Sequence, residues 1–210
     1  MKTSTKGLFA LMNHEGVALA SYKDSVGVWT VGCGHTKHAG HPIPAPGLRI
    51  TLERAVQLFR RDVKKYETAV DRSITVPVQQ HEFDALVSFH YNTGAIAKAS
   101  FVKKLNAGDR AGAAAGMMAW KKPPEIIGRR KKEQHLFRTG DYGDLSTVLV
   151  YTGVTKSGSP TGAKRYSTSE VMGVSKGEPE RPAVVPPARP ANLFDIMAGW
   201  FRAIFGRKSI

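Results

Sequence analysis

The feature that most constrains this chain is a single β-prone, glycine-punctuated stretch set inside an otherwise helical first two thirds. Between Tyr22 and Thr36, Gly27, Gly32 and Gly34 separate the strand formers Val26, Val28, Trp29 and Val31, which predicts a short twisted hairpin or small sheet. Before it, Ser4 or Thr5 caps a first helix carrying Leu8, Leu11 and Met12, with Gly16 as its stop. After it, His41 to Gly47 reads as a loop, and Thr51 caps a long helix carrying Leu52, Ala55, Val56, Phe59 and Val63. Further helices are expected near 78–92, 95–106, 109–121 and 126–138, parted by Gly94, Gly108 and the Pro123-Pro124 pair. Phe83 to Phe89 is apolar enough to be a central, largely buried helix. The fold class is therefore α+β, mainly helical. With 41% hydrophobic and 23% charged residues, a core can be buried, which excludes a wholly disordered protein.

Beyond Gly140 the pattern changes, and residues 141–176 read as a β-rich or irregular extension. Val148 to Tyr151 suits a strand, Ser157 to Pro160 a turn, and Ala163 to Ser167 the partner strand. Residues 177–191 hold Pro179, Pro182, Pro186, Pro187 and Pro190 and are expected to be an extended linker. Residues 192–210 read as a basic amphipathic helix. Leu193, Ile196, Met197, Trp200, Phe201 and Ile204 make one apolar stripe, and Arg202, Arg207 and Lys208 add positive charge. Such a helix suits the interface of an anionic membrane, with docking back onto the protein as the alternative.

No apolar run reaches the roughly 18 residues that a spanning helix needs, and Met1 to Gly7 leads into too short an apolar stretch for a signal peptide. One cysteine, Cys33, allows no internal disulfide and points to a reducing compartment during synthesis. The net charge is +14, with most of the excess in residues 1–140, and it implies a polyanionic partner: nucleic acid, anionic lipid or an acidic cell-wall polymer. No nucleic-acid-binding motif is present.

Two carboxylates stand out. Glu15 ends the first helix and Asp24 lies on the incoming arm of the hairpin, with Thr30 six residues further on. A glycosidase needs two carboxyl functions on opposite sides of a sugar–sugar bond, and a helix end facing a hairpin makes two walls of a cleft. Competing chemistry is weaker. His35, His38 and His41 lack a nearby carboxylate or cysteine pair for zinc. His81-Glu82 has Ala85 where a zinc-protease motif needs its second histidine, and Gly32-Cys33-Gly34 has no βαβ context for a dinucleotide. No metal or cofactor is expected. The run from Arg129 to Lys132 reads as a solvated face that also fits an acidic wall.

Three blocks change the weight of the pair. Glu15-Gly16, Ser21-Tyr22-Lys23-Asp24 and Trp29-Thr30-Val31-Gly32-Cys33-Gly34-His35 form the first; Phe83 to Gly94 the second; Gly128 to Gly140 the third. In this order they resemble the phage-type lysozymes, or endolysins, of glycoside hydrolase family 24. The resemblance covers residues 5–140 and leaves 141–210 outside. It implies a two-lobed lysozyme-like catalytic domain over 1–140 that acts as a monomer on bacterial peptidoglycan without a cofactor. It implies Glu15 as general acid, with Asp24 and Thr30 positioning the attacking water. The carboxyls of such an inverting pair are expected roughly 6.5–9.5 Å apart. It further implies that His35 is structural, that Arg129 lies near the acid, and that Thr36 and Tyr91 line the cleft. An endolysin of this kind would wait in the host cytoplasm until a holin-type pore released it to the periplasm. A lytic transglycosylase acting on the same bond and a non-enzymatic cationic membrane-active protein are the alternatives.

Overall fold

The computed structural model describes residues 1–174. Helix α1 (Thr5–Glu15) is capped by Ser4, whose hydroxyl accepts from the Gly7 amide, and it stops at Gly16, whose φ of 69° suits glycine. Strands β1 (Val17–Lys23), β2 (Trp29–Gly32) and β3 (His35–Thr36) follow. Helix α2 (Leu52–Asp62) is capped by the Thr51 hydroxyl, and Val63 joins it directly to α3 (Lys64–Ser73), so the expected long helix comes as two pieces. Next come α4 (Gln80–Thr93), α5 (Ser100–Asn106), α6 (Arg110–Met117) and α7 (Ile127–Thr139). The segment expected as one helix over 95–106 is divided: Ile96–Lys98 form a 3-10 turn, and Ala99, extended at ψ 122°, breaks it from α5.

Helix α4 is the axis of the core. Glu82 through Phe89 are all buried, so this helix has no solvent face over two turns. Its two acids survive burial because each is fully engaged. Glu82 accepts from the Gln79 amide at 2.8 Å and from Arg110 Nε at 2.9 Å. Asp84 accepts from the Ser4 amide, the Ser4 hydroxyl, Gln80 Nε2 and the Tyr142 hydroxyl, and so ties three parts of the chain together. Gly7 makes room for this: a Cβ there would lie 2.5 Å from Asp84 Cγ.

The sheet is larger than a hairpin. Strands β4 (Thr147–Val154) and β5 (Pro160–Ser167) come from the segment after α7, and the order across the sheet is β3-β2-β1-β4-β5. Strand β4 runs parallel to β1, with Val17 opposite Val150 and Ala18 opposite Tyr151. This pairing covers the edge of β1 that a lone hairpin would leave open. Val148 and Val150 point into the core, and α8 (Thr168–Val174) closes over it with Val171. The alternate residues Thr147, Leu149 and Tyr151 then lie on the opposite face of the sheet. No helix among the described residues is long and apolar enough to cross a membrane. The apolar stripe from Leu193 to Ile204 lies outside the described residues.

Candidate active site

Glu15 is the last residue of α1, and Gly16 turns the chain immediately into β1. Its Oε1 accepts from Arg129 Nη1 at 2.6 Å, and Oε2 has no hydrogen bond among the described residues. Arg129 is held from three directions. Its Nε donates to Glu133 Oε1 at 2.9 Å and its Nη2 donates to the Ser88 carbonyl at 3.2 Å. Burial works against its charge, but Glu15 and Glu133 outweigh this and raise its pKa above the ordinary arginine value.

Behind Arg129 sits a buried ionic layer that the sequence did not disclose. Glu133 also accepts from the Ser88 hydroxyl at 2.6 Å and from Arg130. Arg130 is 0% exposed; it donates to the Trp120 carbonyl and to Asn92 Oδ1, and it stacks 4.6 Å from the Phe89 ring. The expectation that residues 129–132 share one solvated face is therefore corrected. Successive residues on an α-helix lie 100° apart, so four of them cannot share a face. Arg129 and Arg130 turn inward while Lys131 and Lys132 stay exposed.

Asp24 is fixed by the turn that joins β1 to β2. Its Oδ1 accepts from the Val26 and Val28 amides at 3.0 and 2.8 Å, while its backbone amide donates to the Val28 carbonyl. Oδ2 has no hydrogen bond among the described residues. Thr30 is 3% exposed and donates its hydroxyl to the Val28 carbonyl at 3.2 Å, which leaves its oxygen able to accept. The register places Tyr22, Thr30 and Thr36 in one row across β1, β2 and β3. Tyr22 was quoted in the sequence string without a role. Burial first, then the Glu15 and Asp24 carboxylates, push its hydroxyl above the ordinary tyrosine value, so it is the side chain that feels both acids.

The remaining candidates stand apart from this group. His35 faces α2: Nδ1 meets Asp62 Oδ2 at 2.6 Å, and Nε2 donates to the Gly40 and Pro42 carbonyls at 3.1 and 2.9 Å. It anchors the loop after β3 to the helical body. His35→Ala is expected to cost about 3 kcal/mol by leaving Asp62 buried beside a void, read as a shift of the denaturation midpoint. Tyr91 donates its hydroxyl to the Cys33 carbonyl and packs its ring 4.5 Å from Tyr66, so it ties α4 to the loop between β2 and β3. Cys33 is buried, and burial raises its thiol far above the reactive range.

The phage lysozyme family model matches residues 12–133. The endolysin of Salmonella phage P22 is 34% identical over 143 residues, covering 65% of this chain and 98% of that protein. The structure of an endolysin from Escherichia coli O157:H7 phage FAHEc1 is similar with a TM-score of 0.65 and 37% identity, over 69% of this chain and 98% of that one. The muramidase domain of SpmX from Asticaccaulis excentricus is similar with a TM-score of 0.59 and 31% identity, over 66% and 98%.

Proposed function

Because the chain belongs to the phage lysozyme family, we propose that it is an endolysin muramidase that hydrolyses the β-1,4 bond between N-acetylmuramic acid and N-acetylglucosamine. The coarser statement, an enzyme that cleaves peptidoglycan, follows from the family itself. The observation that carries the finer one is the way the two acids are held. Each carboxylate is anchored through one oxygen, Glu15 by Arg129 and Asp24 by its own turn, while its second oxygen has no protein partner among the described residues.

In this reading Glu15 donates its proton to the glycosidic oxygen as the bond to C1 breaks. Negative charge develops on the carboxylate, and Arg129, already held by Glu133 and Ser88, stabilises that charge without moving. Asp24 accepts a proton from a water whose position the Thr30 oxygen helps to fix, and that water attacks C1 from the opposite side of the sugar. Tyr22 and Thr36 extend the same row toward the substrate, with Tyr91 supporting it from α4. The stripe from Leu193 to Ile204 is proposed to contact anionic membrane, and release through a host pore to bring the enzyme to the wall.

Mass spectrometry of digestion products tests the reaction. Hydrolysis yields muramic acid with a free reducing end. Products lighter by one water, carrying anhydromuramic ends, would overturn hydrolysis in favour of a transglycosylase.

A further inference from the structure

Outside the row of Tyr22, Thr30 and Thr36, the largest hollow of the molecule is a cavity of about 640 Å³ behind α1, a size within the roughly 300–1,000 Å³ of ligand sites. It exists because of the β4–β5 hairpin. One wall is α1 with Asn13 and His14, the second is α7 with Lys131 and Lys132, and the third is Leu149 of β4 with Arg165 of β5. Leu149 and Arg165 are direct partners in the strand register, so they project from the same face. The hairpin lies beyond residues 12–133 matched by the family model, so this wall is an addition to the family body.

The cavity is unbalanced in its free charges. Its carboxylates are occupied: Glu133 by Arg129 and Arg130, Asp84 by four donors, Asp141 by His135 and the Gly143 amide, and Asp144 by the Ser146 amide. Lys131 and Lys132 have no ion pair among the described residues, and Arg165 reaches only the Thr147 hydroxyl, at 3.5 Å. His14 adds no charge, since burial and then Arg129 and its neighbours push it down to about 3. Leu145 and Leu149 add apolar surface between the cations. An occupant must therefore carry anionic groups spaced by small apolar ones.

The cavity also adjoins the acid. Ser88 and Glu133 belong to its wall, and both hold Arg129, whose other end holds Glu15. A ligand there is separated from Glu15 by one guanidinium.

Resting on the muramidase reading, we propose that this cavity binds the acidic stem peptide attached to the glycan strand undergoing cleavage. The peptide's carboxylates meet Lys131, Lys132 and Arg165, and its alanine methyl groups meet Leu145 and Leu149. The glycan lies against Glu15 while the peptide passes around the C-terminal end of α1.

The test uses the full chain and the double variant Lys132→Glu/Arg165→Glu, two exposed changes. Titrating the free tetrapeptide of L-alanine, D-glutamate, meso-diaminopimelate and D-alanine should shift the backbone amide signals of Leu145 and Leu149 in wild type and not in the variant. The variant should raise KM about tenfold more on intact peptidoglycan than on glycan strands stripped of peptide. No shift in wild type, equal KM changes on both substrates, or shifts produced by phosphatidylglycerol vesicles and not by the peptide would each overturn the assignment. If wild type cleaves neither substrate, the muramidase reading fails, while the peptide titration still decides the cavity.

Discussion

Glu15→Gln lowers the rate of reducing-end release from purified peptidoglycan by about 10²–10⁴-fold and leaves the protein folded. Glutamine keeps the shape of the side chain but has no proton to give to a leaving alkoxide. The fold survives because Arg129 keeps Glu133 and the Ser88 carbonyl, and because a neutral residue suits the negative end of α1 at least as well. Its melting temperature should stay within about 3 °C of wild type, which separates lost chemistry from lost structure. Asp24→Asn should fall nearly as far, since the amide keeps the turn but accepts no proton. Thr30→Ala should lose less, because one oxygen that orients water is removed while both acids stay. Full clearing by Glu15→Gln would end the mechanism and would favour killing by charge and membrane contact alone.

Truncation separates the second large effect. Ending the chain after residue 140 removes Val148, Val150 and Val171 from the core, exposes the edge of β1, and takes the Tyr142 hydroxyl from Asp84. Three buried valines alone are worth roughly 5 kcal/mol or more, comparable with the whole stability of a domain, about 5–15 kcal/mol. This truncation is expected to be unfolded or insoluble. Ending after residue 176 keeps every residue of the sheet and both proposed acids. It should match full-length protein in melting temperature and in clearing purified peptidoglycan, yet lose leakage of anionic liposomes, because Trp200, Phe201, Arg207 and Lys208 are gone. A folded, active 1–140 protein would show that the hairpin is dispensable. Loss of stability on cutting after 176 would instead mean that the terminal segment docks on the enzyme.

What could be read from the chain was local. The caps at Ser4 and Thr51, the stop at Gly16 and the buried stretch of α4 all follow from neighbours within a turn or two. The strand character of Val148 to Tyr151 is equally local, as buried valines alternate with half-buried residues. The strand's partner was not readable. A parallel register between β1 and β4 is set by the whole helical body that lies between them, and no short pattern encodes it. Arg130 was misread for a related reason. Its partners Asn92, Trp120 and the Phe89 ring lie on other elements, so within α7 it looks like any surface cation. Glu15, Asp24 and Thr30 stood out because their spacing resembles a family. The free oxygens on Glu15 and Asp24, the role of Tyr22 and the cavity behind α1 needed coordinates.

The parallel contact between β1 and β4 also sets a schedule. During synthesis α1 and β1 leave the ribosome first, yet β1 waits for almost all of the described chain before its second neighbour exists. A pairing of such long sequence separation forms late, after the local helices. The strand that follows directly from Glu15 therefore takes its final place only when translation is nearly complete. A nascent or prematurely terminated copy carries both acids without the finished sheet that holds them, and so remains inert inside the cell that makes it.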